Sequence, residues 1–303
     1  MKKNMTALVS AFARAYHYKN NDVRVFSDSM AEKILSEEEY SNISQNMSKG
    51  IDFFNPHFHG NEDEALSWIV NNYLSPSPIG RSAFTEIRLK QEIKLGTEQY
   101  IIVASGYDTF AYRQKDEYKN IRIFEIDKPD MIEDKKKRIE CYIYETSNLN
   151  FVEVDFEREK LSENIKACAE FNKNKKSFIS MLGISYYLKK EDFIDLIFEI
   201  SKITPEGSSL AFDYPDENYY TIHAGVRAKK QIMMASAAGE IMKSSYSFSE
   251  LEKTLSDNGF LIYEHLTPDE ITEQYFNDYN LKNPNNKIIA FDNVNYLFAV
   301  KKI

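Results

Sequence analysis

Only 2 of 303 residues are cysteine, Cys141 and Cys168, and they are 27 residues apart with no CxxC and no nearby histidine pair. That sparsity excludes a disulfide-built scaffold and a thiolate zinc site, and it fits a reduced, cytoplasmic setting. Histidines are few and scattered, at 17, 57, 59, 223 and 265. His57 and His59 in NPHFHG are the one close pair, and without a third ligand they read as a surface loop, so no metal is expected. No apolar run approaches the ~18 residues of a membrane span, and the opening MKKNMTALVSAFARAYHY lacks the apolar region and cleavage site of a signal peptide. Basic charge is also in deficit. A net charge of −9 argues against a nucleic-acid or anionic-membrane surface. The compact basic run KKKR at 135–138 reads as the solvated face of a helix. Glycine (10) and proline (8) are few, and neither internal repeats nor low-complexity segments occur.

What remains is the composition of a globular enzyme-sized chain, 43% apolar and 28% charged, with 20 Tyr and 20 Phe. Its length suits one α/β domain over 1–303, with residues 1–95 helical and loop-rich and 96–303 alternating. Helical patterns fall at 6–16, 27–35, 62–73 and 82–94, and the breaker cluster SPSPIG at 75–80 is expected to separate the last two. Strand patterns follow near 99–104, 121–126, 150–154, 177–182, 207–213, 259–266 and 293–300, with helices between most of them. Such alternation predicts a seven-stranded, mainly parallel sheet covered by helices on both faces. The last two strands lack a long crossover, so an antiparallel edge is expected there.

One stretch carries chemistry. The apolar strand QYIIVA breaks into SGYDTFAYR, and 21 residues after Gly106 a second strand, IFEID, ends in an acid. In an α/β sheet a glycine after the first strand lets backbone approach a ligand, and an acid about 20 residues on accepts ribose hydroxyls. Glu125 and Asp127 share a strand face, and Asp127 lies nearer the carboxyl end, where ligands bind. Ala104 and Thr109 stand where a dinucleotide fingerprint would have further glycines, which disfavours a pyrophosphate-bearing cofactor.

These residues resemble the leucine carboxyl methyltransferase superfamily, including its bacterial polyketide-type O-methyltransferase branch, whose core reads approximately QVVxLGAGxDTRAYR followed by FEVDxP. The likeness extends to TALVSAFARAYHYKNNDVRVFSDSMA, to Arg81 fifteen residues before Gly96, and to VEVDF, FISMLGISYYL, GSSLAFDY and FSELEKTLSDNGF in order. The resemblance implies a Rossmann-like class I methyltransferase fold with a helical N-terminal lid and S-adenosylmethionine as cofactor. It implies that Gly106 and Ala104 flank the cofactor's methionyl part, that Asp127 accepts the ribose hydroxyls, and that Asp155 and Phe156 meet the adenine. Arg81 would pair with the cofactor carboxylate, and Leu182 would sit beside the reactive centre. Alternatives stay open: Asp155 also suits an N-cap, and Arg81 a surface helix position. Arg14 has a weaker claim as a lid residue.

Three departures stand out. Ala104 replaces the first glycine of GAG, Phe110 replaces an arginine although Arg113 remains, and Leu182 stands where protein-phosphatase-methylating relatives carry a glutamate. The expected function is O-methylation of a small-molecule carboxylate or hydroxyl. A lapsed cofactor-binding protein and a nicotinamide-dependent oxidoreductase are the alternatives. If a general base is used, Asp213, Tyr214 and His223 are the candidates by chain position. The aromatics Tyr16, Tyr18, Phe53, Phe54, Phe58 and Trp68 either form an apolar lid over the acceptor or belong to ordinary core.

Overall fold

The computed structural model describes residues 4–113, 118–140 and 146–302, so Cys141 lies outside the described residues. All seven expected strands form: β1 (Gln99–Val103), β2 (Arg122–Asp127), β3 (Leu149–Glu153), β4 (Ser177–Met181), β5 (Ser209–Pro215), β6 (Phe260–Leu266) and β7 (Val294–Lys301). Their order is β3-β2-β1-β4-β5-β7-β6. Pairing is parallel from β3 through β5, and β7 runs antiparallel to both β5 and β6. The strand order reverses between β1 and β4, which opens a crevice at their carboxyl ends.

Both faces of the sheet are covered, because β1 sends alternate side chains into two cores. Tyr100 and Ile102 join the cluster that contains the N-terminal helices, while Ile101 and Val103 join the one under the helices at Lys190–Ile203 and Phe248–Asp257. The first core runs unbroken from Leu8, Phe12 and Ile69 to Tyr296 and Phe298, so the N-terminal helices share their core with the sheet. Among the described residues no helix is long and apolar enough to cross a membrane.

Local reading of the N-terminal region needs three corrections. SPSPIG is not a separating loop: the Pro76–Lys94 helix begins inside it, with Pro76 and Pro78 in the first turn, where the missing N–H groups would have had no helical partner. The break narrows to Ser75, immediately after a π-helical turn over Val70–Leu74. A helix at Glu37–Lys49 also forms, which the apolar periodicity did not signal; its mark is the capping box of Ser36 and Glu39. Only Ala31–Ile34 is helical within 27–35, since the Asp28 carboxylate accepts the N–H groups of Met30 and Ala31 and starts the helix late.

The KKKR run is the clearest reversal. Lys135 is fully buried on the Pro129–Arg138 helix and forms an ion pair with the fully buried Glu125 of β2. Arg138 donates to Glu39 at 2.7 Å and to Asp134 at 2.6 Å, fastening the helix to the N-terminal region. Lys137 alone is plainly solvated, in an exposed pair with Glu133. This pairing also removes Glu125 from competition with Asp127, because its carboxylate is spent inside the core.

Burial drives the Glu125 carboxyl up to about 7 even with Lys135 opposing it. Removing the lysine in Lys135→Met leaves an uncompensated buried acid, and the expected cost at pH 8 is about 3 to 5 kcal/mol. An acid whose folded pKa is raised holds more protons folded than unfolded, so stability falls as pH rises above its unfolded value. The deficit of Lys135→Met should therefore shrink between pH 8 and pH 5.5, and Glu125→Met with Lys135→Met should recover most of the wild-type midpoint in urea melts.

Candidate active site

The carboxyl ends of β1, β2 and β4 open into a cavity of about 1250 Å³, roofed by the Met5–Asn20 helix and by residues 231–243. Its floor is the turn after β1. Gly106 takes a positive φ of 48°, and its N–H donates to Asp127 Oδ2 at 2.7 Å. A Cβ added at Gly106 would meet nothing nearer than Ala7 Cβ at 3.8 Å, so here it is the backbone angle that favours glycine. Burial pushes the Asp127 carboxyl above the ordinary range, against the N–H groups of Gly106 and Lys128 that favour its charged form. Ala104, Gly106, Asp127, Phe156, Leu182 and Arg81 all line this one cavity.

Asp155 does not line it. Its carboxylate accepts from Glu157 N–H at 3.2 Å and faces Lys128 at 3.6 Å, so it caps the turn at 156–159 beside the cavity rather than the helix that starts at Leu161. Neither Tyr214 nor His223 reaches the cavity. Tyr214 points into the opposite core, with its hydroxyl 2.8 Å from His265 Nε2, because adjacent strand residues face opposite sides. His223 is exposed on the segment before the Val226–Ala237 helix. None of Tyr16, Tyr18, Phe53, Phe54, Phe58 and Trp68 lines the cavity; Phe54 and Trp68 pack behind Tyr73, with ring centroids 4.8 Å and 5.8 Å away.

Two buried polar groupings hold the site. In the first, Arg14 donates to the Tyr107 carbonyl at 2.7 Å and to Asp28 at 2.8 Å, tying the roof helix to the turn after β1. Thr109 donates to Asp28 at 2.7 Å, and Arg113 pairs with Asp28 and Glu86. Burial alone would raise the Asp28 carboxyl, yet Arg14 and Arg113 hold it below the usual carboxylate range. In the second, Asp213 is fully buried and accepts from Gly183 N–H at 2.6 Å, from Tyr186 Oη at 3.1 Å and from Arg81 Nη1 at 3.2 Å. A carboxylate so occupied is poorly placed to accept a substrate proton.

Sequence reading missed the outer wall. It consists of Met47, Tyr73, Met234, Met242 and Phe291, with Tyr187 and Glu240 as polar members. Glu240 accepts from the N–H and hydroxyl of Thr6, joining the two roof segments. Nothing in chain order marks these residues, since they come from five separate segments.

Ala104 adopts a left-handed φ of 53°. An L side chain there costs roughly 1 to 2 kcal/mol, against about 0.5 to 1 kcal/mol for the added chain entropy of glycine. Ala104→Gly is therefore expected to leave stability unchanged or raise it by up to about 1 kcal/mol in thermal melts, where glycine at an ordinary strand end would lower it.

The sequence pattern of the leucine carboxyl methyltransferase family matches residues 7–201. A Bacillus subtilis (strain 168) protein named as the S-adenosyl-L-methionine-dependent methyltransferase YktD is 36% identical over 311 residues, covering 100% of both chains. Among solved structures, a methyltransferase from Thermobifida fusca YX superposes with a TM-score of 0.57 at 11% identity, over 100% of this chain and 96% of that one. A DUF574 family protein from Streptomyces avermitilis gives 0.58 at 12% identity, over 96% and 97%. At such identities the two structures speak for the fold alone. With the switch-point cavity, the family pattern and the full-length relative in agreement, the chain belongs to the leucine carboxyl methyltransferase family and is an S-adenosylmethionine-dependent methyltransferase.

Proposed function

We propose that the chain methylates an oxygen of an apolar small molecule, a carboxylate in preference to a hydroxyl. The observation that carries this reading is the proton inventory of the cavity. Among the described residues no histidine lines it, and four of its six carboxylates are tied to donors from other segments or to paired cations, Asp127 with Gly106 and Lys128, Asp134 with Tyr107 and Arg138, Glu157 with Lys243, and Glu240 with Thr6, while Asp108 and Asp130 accept the local N–H groups of Phe110 and Met131. A carboxylate acceptor arrives already ionised and needs no base, whereas an alcohol does. The outer wall of Met47, Tyr73, Met234, Met242 and Phe291 suits an apolar body, methionine adapting to irregular shapes.

The cofactor supplies a sulfonium methyl group that a nucleophile can displace. The residues present fit it. Gly106 turns backbone toward the cavity, Asp127 offers a carboxylate to the ribose hydroxyls, and Phe156 offers an apolar face to the adenine. Arg81 lines the cavity and spends one of its N–H groups on Asp213, which leaves its other donors for the cofactor's carboxylate. The roof made by the Met5–Asn20 helix and residues 239–243, latched through Thr6 and Glu240, acts as a lid that keeps water from the reacting oxygen. Positioning of the acceptor in line with the methyl group is then the chief catalytic contribution.

An acceptor screen tests the chemistry. Methyl esters of apolar carboxylic acids are expected, with a rate that does not rise between pH 6.5 and 8.5; exclusive methylation of nitrogen or carbon, or a rate rising with a group titrating near neutrality, would overturn the reading. Cofactor contacts are tested by calorimetry. Asp127→Ala should weaken S-adenosylhomocysteine by about 1.5 to 3 kcal/mol. Arg81→Met should weaken S-adenosylhomocysteine strongly and leave adenosine, which lacks the carboxylate, nearly unchanged.

A further inference from the structure

Asp213 was a candidate base by chain position, and the structure gives it other work. Its carboxylate is buried at the end of β5, where two neutral donors from the turn after β4 fix it: Gly183 N–H at 2.6 Å on Oδ1 and Tyr186 Oη at 3.1 Å on Oδ2. Arg81, arriving from the Pro76–Lys94 helix, places Nη1 3.2 Å from the same Oδ2. The guanidinium lies against Gly183 so closely that a Cβ there would stand 2.5 Å from Nη1. Gly183 also has a positive φ of 71°, so the backbone angle favours glycine, and an added Cβ would displace the Arg81 guanidinium from this position. The arginine is thereby held at one hydrogen-bonding edge, at the crevice between β1 and β4.

We propose that Asp213 is a positioning residue for cofactor recognition: anchored by Gly183 and Tyr186, it aims Arg81 at the cofactor's carboxylate. The inference rests on the reading of Arg81 given above. Asp213 balances the arginine's charge before the cofactor binds, and with cofactor bound one guanidinium serves two carboxylates through different N–H groups.

The test measures affinity, not turnover. Asp213→Asn keeps the shape and one acceptor but loses the charge and the second acceptor. It is expected to weaken S-adenosylhomocysteine about tenfold or more by calorimetry, as for loss of a charge-assisted hydrogen bond, while adenosine changes less than about twofold. Arg81→Met added to Asp213→Asn should weaken S-adenosylhomocysteine by less than Arg81→Met does alone, since the two act as a unit. Should Asp213→Asn fail to fold, Tyr186→Phe removes one anchor of Oδ2 without altering charge and should show the same selective loss, a few-fold in size. Equal weakening of both ligands, no change, or tighter S-adenosylhomocysteine binding, with Arg81→Met still selective, overturns the role of Asp213 alone. Loss of selectivity in Arg81→Met itself withdraws the Arg81 reading and this one together.

Discussion

The contact between Arg14 and the turn after β1 is the constraint on which the site depends. Nothing in a Rossmann-like sheet requires an N-terminal helix to lie across the carboxyl ends of its strands. Here the helix is held there by a guanidinium that bonds the Tyr107 carbonyl and Asp28 at once, while Asp28 also takes Thr109 and faces Arg113. Charges this deep are worth little as isolated pairs, because desolvation offsets their attraction. Their value is geometric. Each member has a partner on a different segment, so only one arrangement of the roof helix, the Pro76–Lys94 helix and the β1 turn satisfies them all.

The two aspartates at the carboxyl ends of β2 and β5 show how local surroundings divide similar groups between roles. Asp127 sits at the mouth of β2 with backbone N–H donors and an open side toward the cavity. Asp213 has three donors and no exposure, and so acts on other residues rather than on an acceptor. Glu125, two residues before Asp127 on the same strand face, is consumed by Lys135. Strand position alone ranks these acids; the partners decide what each does.

The departures from the family pattern find physical reasons at two of the three positions. Phe110 is buried edge-on against Tyr100, with centroids 5.1 Å apart, and near Tyr118, so an aromatic cluster replaces the arginine and Arg113 keeps its ion pairs with Asp28 and Glu86. Leu182 lines the cavity where a glutamate would have added a charge, in keeping with the apolar outer wall. Ala104 adopts a left-handed backbone, and nothing in the structure explains alanine there.

The sequence by itself determined the seven strands, most of them apolar runs because the sheet buries both faces of its central strands. It also led to an antiparallel end, but the connection from Leu266 to Val294 is long and helical, so length alone would have allowed a parallel crossover and the pairing of β6 with β7 was decided by tertiary structure. The sequence also marked Gly106 and Asp127, since a backbone turn and the acid ending the next strand are local features. What lay beyond it were relations between distant segments. KKKR reads as solvent-facing until Glu125 of β2 claims Lys135 and Glu39 claims Arg138. Tyr214 and Asp213 are adjacent in sequence, and only the pleat of β5 and the packing around it send one to His265 and the other to Arg81. The apolar wall, the Thr6–Glu240 latch and the anchoring of Asp213 belong to tertiary structure, because each joins residues whose separation along the chain carries no periodicity for local physics to read.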